Sequence, residues 1–174
     1  MHRNFALALS LVASAAMFAT VSFAAEAPQV GQMAPGFTLP SQDGSNVSLK
    51  DFKGKWVVLY FYPKDKTRGC TIEAHNFQRD QAQYDQKKAV IVGVSVDSVD
   101  SHKEFCAEQN LTFKLLADDQ KKVVPMYGSM RDNGMALRNT FLVDPQGKIA
   151  KVWTGVEPEK HSAEVLAALN EVAK

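Results

Sequence analysis

The sequence is poor in cysteine. Cys70 and Cys106 are the only two, and they do not form a C-x-x-C pair. Dithiol exchange that depends on that spacing is unsupported here. An excess of charge is also missing. With Arg3 set aside as part of the N-terminal segment described next, 19 basic residues face 19 acidic ones, which leaves electrostatic binding to nucleic acid without support. No internal repeat, low-complexity tract or linker divides the chain, so one domain is expected at this length.

What is present begins with Arg3 and an uncharged apolar run from Phe5 to Phe23, closed by Ser22-Phe23-Ala24. This is the pattern of a secretory signal peptide with small residues at the cleavage position. Residues 1–24 are therefore expected to be removed after Ala24. The remaining domain, residues 25–174, is expected in the periplasm or outside the cell, without stable membrane association. An uncleaved anchor is the alternative, although Ser10, Ser14, Thr20 and Ser22 weaken the run and no cysteine follows it to carry a lipid.

In an oxidising compartment two cysteines 36 residues apart have two readings. A structural disulfide closing that loop would stabilise the fold by roughly 4 kcal/mol in the chain-entropy description. A catalytic pair would exist for its reactivity instead. Composition does not choose, because an apolar fraction of 45% supplies an ordinary core that folds without staples.

Residues 25–36 read as an irregular entry segment. Phe37–Leu39 and Val47–Leu49 flank Ser41-Gln42-Asp43-Gly44 and predict a small hairpin. Trp56–Tyr62, an unbroken apolar and β-branched run closed by Pro63, and Val90–Val96 predict strands covered on both faces. Between them Cys70, Ala74, Phe77 and Tyr84 fall at near-helical spacing, predicting an amphipathic helix to about Lys88. A second helix starts at Asp100 or Ser101 and carries Phe105 and Cys106, with a short strand Leu115–Ala117 after it. Arg138–Val143 and Ile149–Trp153 form an antiparallel hairpin across Asp144-Pro145-Gln146-Gly147, whose Pro and Gly suit a type I turn. A helix over about 159–172 ends the chain. The order is that of an α/β protein with a mixed sheet and helices on both faces. It fits a thioredoxin fold with an N-terminal β-hairpin extension.

The chemistry is concentrated in Pro63-Lys64-Asp65-Lys66-Thr67-Arg68-Gly69-Cys70-Thr71-Ile72-Glu73, where a central strand ends and a helix begins. Ligand sites in open α/β sheets favour that edge. A thiol there meets the free N–H groups and positive end of the helix, which favour the nucleophilic thiolate. Lys64, Lys66 and Arg68 add positive charge, partly offset by Asp65 and Glu73. A polar, Gly-flanked junction is an unusual place for a cysteine that merely fills a core. Singly, Thr67 reads equally as a helix cap, Pro63 as a strand terminator and Arg138 as a strand-end surface charge; jointly these readings are improbable.

Pro63, Thr67 and Cys70 reproduce the pattern P-x-x-x-T-x-x-C, and in this the chain resembles the peroxiredoxins. Tyr60-Phe61-Tyr62-Pro63-Lys64-Asp65, with Thr67, Gly69-Cys70-Thr71 and Glu73, is similar to the branch called bacterioferritin comigratory protein, or PrxQ. Arg138, within Arg-Asn-Thr-Phe-Leu-Val-Asp-Pro-Gln-Gly, resembles that family's active-site arginine, and the resemblance spans about residues 28–172. It implies a thiol-dependent peroxidase acting on hydrogen peroxide and organic hydroperoxides. Cys70 would be the peroxidatic thiolate and become a sulfenic acid. Thr67 would set its hydroxyl on the thiolate and the peroxide, and Pro63 would shield the pocket from water. Arg138 would keep the cysteine deprotonated and stabilise charge developing on the breaking O–O bond. Glu73 stays open, because glutamate is favourable in the first turn of any helix. No metal or other cofactor is implied.

Two positions depart from the branch. Arg68 stands where many members carry Pro, and His75 stands where many carry the resolving cysteine. Other members place that cysteine in the helix after the next strand, so the resemblance assigns Cys106 to close a disulfide with Cys70. A thioredoxin-like protein or a small thiol would then reduce it. A one-cysteine peroxidase recycled by an external thiol is the alternative. An exported thioredoxin-like disulfide oxidoreductase is the rival within the fold, opposed by Thr67 at the first C-x-x-C position and by Arg138 where such proteins carry a proline. A metal-binding module using Cys106 with His102, or Cys70 with His75, is the rival outside it, but two ligands do not define a site. His75, His102 and His161 are otherwise expected at the surface. A disulfide needs Cα atoms within about 7 Å, and the cysteines lie on different helices, so oxidation is expected to unwind helix around one or both. Met126, Tyr127, Met130 and Met135 suit an interface as readily as a core, and a monomer or weak dimer is expected.

Overall fold

In a computed structural model residues 27–173 are described; the expected signal peptide, residues 1–24, lies outside them. Two short strands, β1 (Thr38–Pro40) and β2 (Asn46–Ser48), pair as the N-terminal hairpin. After a 3-10 turn at Leu49–Phe52 come β3 (Trp56–Phe61), α1 (Arg68–Gln86), β4 (Ala89–Ser95), α2 (Val99–Gln109) and β5 (Lys114–Ala117). A short helix α3 (Val123–Met126) precedes β6 (Asn139–Val143) and β7 (Ile149–Thr154), and α4 (His161–Val172) closes the fold. The five long strands form one sheet in the order β5-β4-β3-β6-β7. β3, β4 and β5 are parallel, whereas β6 runs antiparallel to β3 and β7 antiparallel to β6.

The sheet separates two apolar layers by the period-2 rule of strands. Val58, Tyr60, Ile91, Leu115 and Leu142 face α1, α2 and α4, meeting Phe77, Phe105, Val165 and Leu169. Val57, Leu59, Phe61, Val92, Leu116 and Phe141 face the other way, onto the hairpin residues Leu39 and Val47 and onto Val124 and Tyr127 from α3 and its end. Helices therefore lie on both faces, but unequally: the three long ones share one face, and the hairpin supplies much of the cover on the other. The hairpin turn also protects the edge strand β5. The Gln42 side chain donates to the Phe113 carbonyl at 2.9 Å and accepts from the Leu115 N–H at 2.9 Å, occupying groups that an open edge would present to other chains.

The structure corrects one expectation and adds two findings. His102 and His161 are fully buried rather than solvated, and of the three described histidines His75 alone is exposed. His161 Nε2 lies 2.8 Å from the Thr140 hydroxyl, and its ring packs edge-on against Phe77 and Trp153. Burial lowers its pKa to about 4, so the ring is neutral at ordinary pH. Second, α3 has no counterpart in the hydrophobic pattern; it forms because the buried Asp118 carboxylate accepts from the N–H groups of Lys122, Val123 and Val124. Third, Tyr127 is core, fully buried with its hydroxyl donating to the Pro35 carbonyl at 2.7 Å, whereas Met126 is exposed.

Gly93, in the middle of β4, marks the tightest contact in the layer beneath the helices. A Cβ there would sit 2.6 Å from Leu115 Cδ2 and 2.7 Å from the Tyr60 ring. Gly93→Ala is therefore expected to cost about 1–3 kcal/mol through overpacking. Urea unfolding followed by circular dichroism checks this, and an unchanged midpoint would contradict it.

Candidate active site

β3 is central and buried along nearly its whole length, and its carboxyl end feeds the loop 62–67 that leads into α1. Thr67 occupies the N-cap of α1 in extended geometry, so Cys70 falls in the first turn. The helical ladder starts with the Thr71 N–H donating to the Thr67 carbonyl at 2.9 Å, and the N–H groups of residues 68–70 precede it. Thr67 does not cap them with its side chain. Its hydroxyl instead donates to the Lys64 carbonyl at 2.9 Å, which orients the oxygen lone pairs and answers the simple helix-cap reading. Pro63 is half-buried at the start of this loop, and Cys70 itself is 2% exposed.

Arg138 arrives from the opposite direction. β6 pairs antiparallel with β3 in a register that sets Tyr60 against Thr140, so the residue just before β6 comes level with the loop just after β3. From there Arg138 Nη2 reaches within 3.4 Å of Cys70 Sγ, while Nη1 donates to Glu73 Oε2. Arg138 is thus no surface charge. Gly69 leaves the room for it: a Cβ at that position would lie 3.2 Å from Nη2 and 3.4 Å from Pro158 Cγ. Glu73, three residues after Cys70 and on the same helical face, is wholly buried, and its Oε1 has no partner among the described residues. Burial raises its pKa to about 7 against the pull of Arg138. The arrangement is a half-buried cation spanning a thiol and a carboxylate at a helix mouth, suited to polarising a small anion beside Cys70.

Comparison with known proteins gives the family and the fold. The model of the AhpC/TSA family matches residues 30–152. Peroxiredoxin Bcp of Bacillus subtilis is 40% identical over 154 residues, covering 84% of this chain and 98% of that protein. The chain belongs to the AhpC/TSA family of peroxiredoxins, in the Bcp/PrxQ branch. Among solved structures, PrxQ of Xylella fastidiosa superposes with a TM-score of 0.82 at 32% identity, covering 86% of this chain and 99% of that one. The bacterioferritin comigratory protein of Xanthomonas campestris, studied for alkyl peroxide reduction, superposes with a TM-score of 0.77 at 35% identity, covering 79% and 92%. This peroxiredoxin is a thiol peroxidase with the thioredoxin-like fold of its branch.

The second thiol of the peroxiredoxin is set very differently. Cys106 lies in the last turns of α2, its carbonyl accepting from the N–H groups of Asn110 and Leu111. It shares an apolar layer with Cys70, and both are buried and free. Burial pushes the Cys106 thiol up to about 12, with the negative charge of Asp65 adding to the effect, so it is held protonated. Asp65, read from sequence as a partial offset to the lysines, is itself buried. Its carboxylate accepts from the Tyr62 and Ser101 hydroxyls and lies 2.8 Å from His102 Nδ1. Lys66 extends to Glu104 and Glu108 at 2.9 Å each, whereas Lys64 and Arg68 are exposed at the mouth of the site. Neither proposed metal pair gathers further ligands: no group of three or more His, Cys, Asp or Glu poised for a metal occurs among the described residues.

The buried Glu73 makes a sign-definite prediction. Its folded pKa of about 7 lies above the ordinary 4.5, so between those values the folded state holds more protons than the unfolded one. Stability from this group is therefore lost as pH rises from about 4.5 to about 7. Comparing denaturant unfolding of the wild type and Glu73→Gln at about pH 5 and about pH 8, the wild type is expected to lose stability relative to the variant. A constant difference across that range would contradict the assignment.

Proposed function

We propose that Cys70 is the peroxidatic nucleophile and Cys106 the resolving one. The Cys70 thiolate attacks the nearer oxygen of a hydroperoxide, an S–O bond forms as the O–O bond breaks, and the leaving alkoxide or hydroxide takes a proton to depart as alcohol or water. Cys70 is left as a sulfenic acid. The observation that carries this reading is the Arg138 guanidinium 3.4 Å from Cys70 Sγ and bonded to Glu73. It supplies positive charge where the O–O bond breaks. The Thr67 hydroxyl, already donating to the Lys64 carbonyl, has lone pairs left to accept the peroxide proton, and Pro63 shields the loop side.

Organic hydroperoxides as well as hydrogen peroxide fit this reading, in line with the alkyl peroxide reduction studied in the Xanthomonas campestris relative. Cys106 then closes a disulfide with Cys70. Its burial and protonated state require α2 to open first, since only a thiolate attacks. A thioredoxin-like protein or a small thiol completes the cycle. We further propose export through residues 1–24 and action as a monomer or weak dimer; N-terminal sequencing of protein recovered from cell fractions, with sedimentation of the mature chain, tests both.

Steady-state peroxide consumption with single variants tests the cysteine assignments. Cys70→Ser is expected to abolish activity, leaving less than about one part in a thousand. Cys106→Ser is expected to reduce one equivalent of peroxide, stop at the sulfenic or sulfinic acid detected by mass spectrometry, and recycle poorly with a protein reductant. Full turnover by Cys106→Ser with that reductant would instead favour a one-cysteine cycle.

A further inference from the structure

His102 and Cys106 lie one turn apart on α2, and His102 is anchored to the active-site loop by a closed set of bonds. Its Nδ1 is 2.8 Å from Asp65 Oδ2, and its Nε2 is 3.2 Å from the Leu116 carbonyl. Both ring nitrogens face acceptors. Asp65 is filled as a carboxylate: the Tyr62 hydroxyl donates to Oδ1 at 2.7 Å, and the Ser101 hydroxyl donates to Oδ2 at 2.7 Å. Burial opposes its ionisation, but His102, Tyr62 and Ser101 outweigh that and hold the carboxyl below its usual range. The Asp65 N–H donates to Asp97 Oδ2 at 2.9 Å. The next residue, Lys66, takes a left-handed φ of 60° and carries its ammonium to Glu104 and Glu108. Loop residues 62–66 are thus fastened to α2 on both sides of Cys106.

Such a contact gives little net stability, but separating it strands the buried Asp65 carboxylate without its partners. Opening of α2 is thereby made steep. We propose that the Asp65–His102 pair is a latch that keeps α2 closed over Cys106 while Cys70 meets peroxide, and that formation of the Cys70–Cys106 disulfide releases it. This rests on Cys106 being the resolving cysteine. In that step Cys106 loses its thiol proton, its sulfur bonds to the sulfur of the Cys70 sulfenic acid, the S–O bond breaks, and hydroxide departs with the proton as water. The latch belongs to the dithiol form alone, so it stabilises that form and not the disulfide. His102 acts as a positioning residue through α2, and it limits the rate of resolution.

The test is a two-state comparison on the full chain. Melting temperatures of the dithiol and disulfide forms are measured for the wild type, for His102→Gln, and for the milder Ser101→Ala, which deletes one hydrogen bond and keeps the Asp65–His102 contact. His102→Gln is expected to lower the dithiol melting temperature by about 10 °C and the disulfide one by less than about 2 °C. Ser101→Ala is expected to show the same asymmetry at about 3 °C, and it carries the test if His102→Gln does not fold. In stopped-flow fluorescence the peroxide-independent phase is expected to accelerate at least about threefold in each variant that folds, because opening is easier. Equal shifts of both redox forms, or an unchanged resolution rate, overturn the latch while leaving Cys106 as resolving cysteine. Peptide mass spectrometry of the oxidised wild type distinguishes the other failure: absence of a Cys70–Cys106 disulfide overturns the resolving role and the latch together.

Discussion

Arg138 reaches Cys70 because β6 runs antiparallel to β3. That single reversal in an otherwise parallel half-sheet brings a residue distant in sequence to the carboxyl end of the central strand, where a helix mouth already exposes unpaired N–H groups. The other parts of the site follow from accommodating a guanidinium there. Gly69 omits a side chain that would crowd it, and Glu73 supplies a buried acceptor one turn along α1. Cys70 borders the same cation without being its main partner. The electrostatics therefore centre on the arginine, and the thiol sits within its reach.

The two cysteines share one apolar layer and experience opposite fields. Cys70 has a guanidinium beside it, while Cys106 has the carboxylate of Asp65 contributing to its protonation. One fold thus keeps two free thiols within the same layer and holds Cys106 protonated. Their backbones differ as well, since Cys106 lies in the last turns of α2 with its carbonyl accepting from Leu111, whereas the Cys70 N–H precedes the first helical bond of α1.

The strands of the central sheet were legible because β3 and β4 are unbroken apolar runs, a pattern that helices of this size do not carry, and the type I turn residues marked the β6–β7 hairpin. α3 was not legible: its signal is a distant carboxylate rather than a periodicity. The histidines were misread for a related reason. A polar residue on an amphipathic helix reads as solvated, yet His102 shares a face with Phe105 and Cys106, and His161 shares one with Val165, Ala168 and Leu169. That i, i+3, i+4 company was visible in the sequence and pointed inward. The motif around Cys70 was legible because its residue types are chemically unusual for a strand-to-helix junction. The partner of Asp65 was not, since nothing local connects residues 65 and 102.

Both tryptophans border the layer that contains the two thiols. Trp56 and Trp153 are partly buried against it, and Trp153 stacks edge-on with His161. Because burial keeps that imidazole uncharged above about pH 4, the indole has a neutral neighbour throughout the physiological range. The protein therefore carries its own optical gauge: repacking of α4 against β7 alters the Trp153 surroundings with no label attached.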